Sequence, residues 1–559
     1  MPLTDVEVDE RDVLNALRQE EAFGTAVWQK ASEGCFDLPS PSPSPHHRHA
    51  PPSLRMPNIP SEIWYNICHF IPAQQVQSLF ALNSVFFDVA MDYRYRQLSF
   101  AYLDRRTVRS LVRLKDPFVA RRVRILHVYP GFLKEALDKE KGRPTQALRR
   151  TFWAKLTALA VLLMEQQKIF IRHPRTRRTE VPNRLKDVVS TILEVLSGLP
   201  NVTAYYVTWC GLPSISKTAV PFLSTVLHGN LHKLSLELSL ENVRNLLTPS
   251  FQVENLKELE LCIHSESVGS IEERNIILET HLAPAIRRLR ENLQLLHIQS
   301  WEPADLAPML RGVGTLPALA HLIIAIPVEG IHLGDPMGLA EFLFAHRLTL
   351  KTLCLRGTQY GGKGLEPTVY SFDIWMRNAV DGVTLPKLRT LEISSHFFPI
   401  DTSLFCLQQF STRIISVALT GCYRTYSDVE DVLNVIEHRR NHPVTTLRLA
   451  LVSLSPQLVD LISSKVPYLE RLELAVKYIL PHSMDSPEFC MLTKNAPPGQ
   501  VQEWSQIDEF LNQMEARKYP GWHLQHLSIV AEYLPSRAQY EHIMEQAFRT
   551  CIPSLKSYS

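Results

Sequence analysis

The stretch of this chain nearest to a phosphate-binding site is the run from Gly357 to Gly364 (GTQYGGKG), which follows an apolar segment ending at Leu355. A phosphate loop needs glycines so that backbone N–H groups can close on phosphate oxygens, a lysine for the terminal phosphates and a hydroxyl for magnesium. Gly364 stands where that hydroxyl belongs, and Pro367 interrupts the helix whose N-terminus would receive the phosphate. The segment reads as a turn. His46, His47 and His49 are close enough in sequence to share a metal, but they lie in a proline- and serine-rich stretch, so a linker is expected there and no metal is assigned. No GxSxG, HExxH or paired CxxC pattern occurs. Without these serine-hydrolase and zinc signatures, a non-catalytic protein with no cofactor is expected.

Two clusters of basic residues remain as candidate binding groups. One holds Arg105, Arg106, Arg109, Arg113, Arg121, Arg122 and Arg124; the other is RHPRTRRTEVPNRLK, residues 172–186. Either could meet phosphates or acidic protein segments, although such runs are more often a solvated face. Aromatic stacking partners are sparse around them, so an acidic protein target is favoured over nucleic acid. Globally the charge is near balance: 59 basic against 57 acidic residues leave +2, which supplies no field toward nucleic acid or anionic membrane.

These groups must be positioned by a long chain. At 559 residues it exceeds one ordinary hydrophobic core, so several domains or one elongated repeat array is expected; 45% hydrophobic and 21% charged residues fit a folded class. The nine cysteines are odd in number and scattered, and read as reduced, mostly buried thiols. The first thirty residues, with Asp5, Glu7, Asp9 and Glu10, lack the basic start and apolar run of a signal peptide. No run reaches the ~20 apolar residues that a membrane helix needs. A cytoplasmic or nuclear protein that does not engage membranes is expected.

Residues 1–55 are expected to be a disordered N-terminal segment: one short helix is possible over Leu14 to Ser32, and Leu38 to Pro52 is a proline, serine and histidine linker. Residues 56–98 then carry three short apolar-periodic helices. Pro60, Ser61 and Glu62 suit a first helical turn; Ile63, Trp64, Ile67, Phe70 and Ile71 recur at helical spacing until Pro72. Val76, Leu79 and Phe80 mark a second helix. Asn83 is a plausible N-cap for a third, whose Phe86, Val89, Ala90 and Tyr93 share a face. Three such helices bury little surface, so they should lean on a partner or on the next domain.

Beyond Leu98 a triad recurs: apolar, two variable, apolar, one variable, apolar. It appears at Val123-Leu126-Val128, Val202-Tyr205-Val207, Leu231-Leu234-Leu236, Leu256-Leu259-Leu261, Leu293-Leu296-Ile298 and Leu319-Leu322-Ile324. It continues at Leu350-Leu353-Leu355, Leu388-Leu391-Ile393, Ile414-Val417-Leu419, Val444-Leu447-Leu449, Leu469-Leu472-Leu474 and Leu524-Leu527-Ile529. Between last members the spacing runs from 25 to 38 residues, apart from 79 between Val128 and Val207 and 55 between Leu474 and Ile529. An apolar residue and a proline precede four of the strands, at Leu199-Pro200, Leu316-Pro317, Leu385-Pro386 and Val466-Pro467. Alternation within each strand sends one set of side chains inward and leaves the variable set on a common face, and no repeat can bury its apolar face alone. One solenoid over residues 99–559 is therefore expected, with insertions near 130–198, including helices around Ala147 to Gln167, and near 478–520.

The segment from Met56 to Leu98 resembles the F-box, through Ile59-Pro60, Glu62-Ile63-Trp64, Ile67, Phe70-Ile71-Pro72, Val76, Leu79, Leu82 and Phe86. It departs from that family at Gln75, where an acidic residue is common, and at Ser84, where a basic one is common. The triads resemble the strand segment of a leucine-rich repeat, without the asparagine ladder of the tightest members: Ser239, His264 and Trp301 lie three residues beyond the last strand leucines. The implied fold class is α/β, a three-helix F-box followed by an irregular leucine-rich-repeat solenoid with a parallel curved sheet and helices on its convex face. The combination is similar to substrate receptors of SCF ubiquitin ligases. That resemblance implies docking on the Skp adaptor, and through it on a cullin, by Ile59, Pro60, Glu62, Ile63, Ile67, Val76, Leu79 and Phe86, either in direct contact or by packing the docking helices. The repeats would bind a protein target whose identity the sequence does not carry. The alternatives are a repeat scaffold with a degenerate F-box and, less favoured, a nucleic-acid-binding protein.

Overall fold

The computed structural model describes residues 59–101, 105–129, 131, 184–209, 230–247, 253, 255–264, 270–300, 305–327, 334–358, 369–394, 399–410, 413–437, 443–482, 504–532 and 537–559. The chain forms two compact units, Met1–Ile63 and Trp64–Ser559. Of the first only Ile59 to Ile63 are described; there the Ile63 amide donates to the Pro60 carbonyl at 3.1 Å, closing a helical turn. The segments from Leu14 to Ser32, from Leu38 to Pro52 with its three histidines, from Ala147 to Gln167 and from Gly362 to Gly364 lie outside the described residues.

The second unit is built on β1 (Gln97–Phe100), β2 (Ile125–Val128), β3 (Ala204–Trp209), β4 (Lys233–Ser239), β5 (Glu258–His264), β6 (Leu295–Ser300) and β7 (His321–Pro327). It continues with β8 (Thr352–Thr358), β9 (Thr390–Ser394), β10 (Ser416–Arg424), β11 (Thr446–Leu454), β12 (Arg471–Ile479), β13 (His526–Ala531) and β14 (Ser557–Tyr558). These strands form one 14-stranded sheet, open at both ends, whose spatial order is the order of the sequence. Every pairing is parallel. All twelve triads fall at and just ahead of β2 to β13, and each of their residues is 8% exposed or less. Within the strands buried and half-buried residues alternate, so one face is sealed and the other is open.

The same backbone joint recurs at each strand entrance. Two successive amides donate to a single carbonyl of the preceding strand's entrance: Lys257 and Glu258 to His232, Gln294 and Leu295 to Lys257, Ala320 and His321 to Gln294, and so on from β2 to β14. That regularity keeps every leucine triad in register with its neighbours. Three of the four apolar-proline lead-ins close as tight turns, Leu319, Leu388 and Leu469 donating to the carbonyls of Leu316, Leu385 and Val466 at 3.0–3.1 Å.

Helices cover the sealed face. Before the sheet come α1 (Ser61–Phe70), α2 (Ala73–Ser78) and α3 (Ser84–Tyr95); α4 (Arg105–Leu114), α5 (Pro117–Ala120) and α6 (Arg184–Ser197) flank β2. The covering layer continues with α7 (Leu240–Leu246), α8 (Ile271–Ile277), α9 (Ala283–Arg288), α10 (Ala307–Val313), α11 (Pro336–Ala345) and α12 (Val369–Val380). It ends with α13 (Ile400–Gln409), α14 (Tyr426–Glu437), α15 (Pro456–Lys465), α16 (Trp504–Glu515) and α17 (Arg537–Cys551). The buried apolar residues of α4 to α17 and the triads form one continuous core. The starts follow ordinary capping chemistry: Asp335 accepts from the Met337 amide at 2.9 Å ahead of Pro336, and Ser455 from the Leu458 amide at 3.3 Å ahead of Pro456.

Three features differ from the sequence-based expectation. The sheet gains an edge strand at each end: β1, where Tyr95-Leu98-Phe100 has the triad spacing with aromatic residues at both ends, and β14, whose two residues are too short to show a full triad. Within the stretch expected as an insertion near 478–520, Trp504–Glu515 is a regular helix packed between α15 and α17. The last three residues of the basic stretch 172–186 open α6.

Candidate functional site

Helices α1 to α3 have a small core of their own. Cys68, Val76 and Phe86 are buried, and Trp64, Ile67, Ile71, Leu79, Val89 and Tyr93 pack around them. Trp64 meets the Phe86 ring edge-on, centroids 5.8 Å apart. Asn83 caps α3 as expected, accepting from the Phe86 amide at 3.0 Å. Val76 and Phe86, 0% and 2% exposed, are therefore interior residues, with Ile67 and Leu79 half-buried against them. In the other unit Pro60, Glu62 and Ile63 are exposed and Ile59 is half-buried.

The outward side of this head carries residues that the sequence reading did not single out for docking. Tyr65, Phe70, Phe80, Leu82 and Phe87 are 43%, 89%, 53%, 53% and 40% exposed. Of sixteen exposed large apolar side chains among the described residues, these five fall within three short helices and their connections. Exposed apolar side chains of this size are ones that a partner could cover. Sequence carried no clear signal for them: Phe70 ends its helix and Phe80 follows the next, where helical periodicity no longer fixes the direction of a side chain.

The head leans on the sheet unit through Arg122, 8% exposed. Its guanidinium donates to the Asp88 carboxylate at 2.7 Å, to the Asp88 carbonyl at 2.9 Å and to the Asp92 carboxylate. It also lies 4.2 Å over the Phe118 ring, which Arg121 overlies at 4.8 Å and against which Phe87 stacks at 6.4 Å. Burial works against the guanidinium charge, but the carboxylates of Asp92 and Asp88 outweigh it and hold its pKa above the ordinary arginine value. One member of the first basic cluster is thus committed to joining α3 to β2. Arg113 donates to the Tyr95 hydroxyl at 3.4 Å, and Arg109 is exposed.

The open sheet face is polar and largely self-paired across strands. His127 stacks on Tyr206 at 4.4 Å; Lys233 bridges to Glu260 at 2.7 Å; Arg356 pairs with Glu392 at 3.2 Å and Arg448 with Glu473 at 2.7 Å. Burial lowers the pKa of His127 and of His297. Near one end Glu237, Cys262 and His264 bring a carboxylate, a thiol and an imidazole within 4.8 Å of one another, a set able to hold a metal ion. No helix among the described residues is long and apolar enough to cross a membrane.

No protein-family model matches this chain, and no curated protein matches it.

Proposed function

We propose that the chain is the substrate-recognition subunit of an SCF-type ubiquitin ligase, docking on the Skp adaptor through α1 to α3 and binding a protein target with its repeats. The observation that carries this reading is the exposure of Tyr65, Phe70, Phe80 and Leu82 on a helical head that already has its own core. Among the described residues nothing covers those side chains. Covering a fully exposed phenylalanine contributes roughly 2–3 kcal/mol, so burying Phe70 and the half-exposed side chains beside it would offset part of the cost of association. The strands are read as leucine-rich repeats on the strength of the twelve triads and their recurrent joint. Helices pack about 8–10 Å apart where strands lie about 4.8 Å apart, so in that reading they occupy the outer side of a curved sheet. The receptor's task is proximity: it raises the effective concentration of target lysines near a ubiquitin carrier bound elsewhere on the cullin, which requires no reactive side chain here.

A second reading, a scaffold with a degenerate F-box, is favoured by the exposed Gln75 and Ser84, which leave out the acidic and basic partners common at those positions. One experiment separates the two. Full-length protein is expected to co-elute with a Skp adaptor in gel filtration, and the Phe70→Asp, Phe80→Asp double variant to elute apart from it with unchanged circular dichroism. Wild-type protein that elutes apart from the adaptor overturns the ligase reading. Deleting residues 56–98 is a poorer test, because it cuts into β1 and strips Asp88 and Asp92 from Arg122.

A further inference from the structure

We propose that Glu237, Cys262 and His264 form a zinc-binding site on the open face of the sheet. The parallel register of β4 and β5 sets Glu237 opposite Cys262 and Ser239 opposite His264. Cys262 and His264 are two residues apart on one strand and so project from the same face. Three donors of three chemical types therefore converge on one spot. His264 Nε2 lies 2.8 Å from Glu237 Oε1 and 3.5 Å from Cys262 Sγ.

The arrangement is wrong for nucleophilic catalysis. Activating a thiol through histidine uses both ring nitrogens, one facing the nucleophile and the other the carboxylate. Here thiol and carboxylate face the same nitrogen, so no proton can be passed through the ring from one to the other. Convergence on a single nitrogen is instead what a shared cation requires. At zinc bond lengths of ~2.0–2.3 Å, tetrahedral ligand atoms sit roughly 3.3–3.8 Å apart, so the His264–Cys262 separation already fits and the Glu237–His264 contact has to open by under about 1 Å.

The surroundings favour this ion and this occupancy. Thr208 donates to Glu237 Oε2 at 2.9 Å, which turns the other carboxylate oxygen toward the imidazole, the kind of outer support that fixes a metal ligand. A thiolate with an imidazole and a carboxylate suits zinc better than calcium or magnesium, which take oxygen donors. The His264 and Glu237 side chains are 32% and 38% exposed, so an ion can enter from solvent and a water completes the fourth position. On binding, the Cys262 thiol proton leaves to solvent and the His264 proton resides on Nδ1, freeing the Nε2 lone pair.

Cobalt(II) titrated into chelator-treated, reduced full-length protein provides the test. One equivalent is expected to give tetrahedral absorption bands with a thiolate-to-cobalt charge-transfer band, and zinc is expected to displace it. Cys262→Ser should abolish the charge-transfer band and weaken binding at least tenfold. Glu237→Gln should weaken binding while keeping the band, and Cys422→Ser, at another half-buried thiol, should change nothing. Absence of the band in the wild type, or its persistence in Cys262→Ser protein, overturns the proposal. If Cys262→Ser protein is misfolded by circular dichroism, the Glu237→Gln affinity decides, and an unchanged value overturns it.

Discussion

His346 joins two neighbouring repeats with a side chain that is 1% exposed. Its Nε2 accepts from the Leu316 amide at 2.8 Å and its Nδ1 faces the Phe342 carbonyl at 2.7 Å, so the ring is held neutral with its proton on Nδ1. Burial lowers its pKa, against a smaller opposing effect of the Phe342 carbonyl. The unfolded imidazole titrates near 6.5; between that value and the lower folded one the unfolded chain binds more protons, so stability is lost as pH falls. His127 and His297 act in the same direction. The urea midpoint is expected to fall between pH 7.5 and 5.5, and His346→Gln protein to be less stable at pH 7.5 with a shallower dependence. A midpoint that holds or rises on acidification would contradict the assignment. The Asn83 cap could be read from the sequence because its partner is three residues away. The His346–Leu316 and Arg122–Asp88 contacts could not, since those partners lie 30 and 34 residues off and only the packed repeat brings them together.

Between elements, α10 and α11 approach closely at Gly338. A Cβ on Gly338 would stand 2.3 Å from the Ala307 Cβ and 2.4 Å from its Cα. Ordinarily Gly→Ala inside a helix stabilises by about 1 kcal/mol. Here overpacking is the larger effect, and Gly338→Ala is expected to destabilise by roughly 1–3 kcal/mol in urea unfolding; a stabilised variant would mean that the two helices separate freely. Nothing adjacent to Gly338 in the sequence announces this contact. The strands, by contrast, were plain: each triad packs three apolar residues into six positions, with a proline turn ahead of some, and all twelve became strands or their entrances. Their edges were not, because β1 buries only Phe100 within the strand and β14 stops at Tyr558, before a triad can close. The α16 helix was missed because it comes after a proline-rich polar stretch and adjoins no triad of its own.

For the whole unit, the division of labour is between an apolar head and a polar sheet face. The sheet's charges are mostly matched across strands, leaving little free energy to be gained by covering them indiscriminately. Phe70 and Phe80 of the head, by contrast, are left exposed among the described residues. In sequence, the two kinds of residue in the head looked alike, since apolar periodicity reports that a helix is amphipathic and not whether its second apolar face meets a core or a neighbour. Burial separates them: Val76 and Phe86 belong to the core, Phe70 and Phe80 to the surface. Amide hydrogen exchange with and without a Skp adaptor tests docking through the head most directly. Slowed exchange in residues 64–95 is predicted on adding the adaptor, with β4 to β12 unchanged; unchanged exchange in 64–95, or protection confined to the sheet, would contradict it.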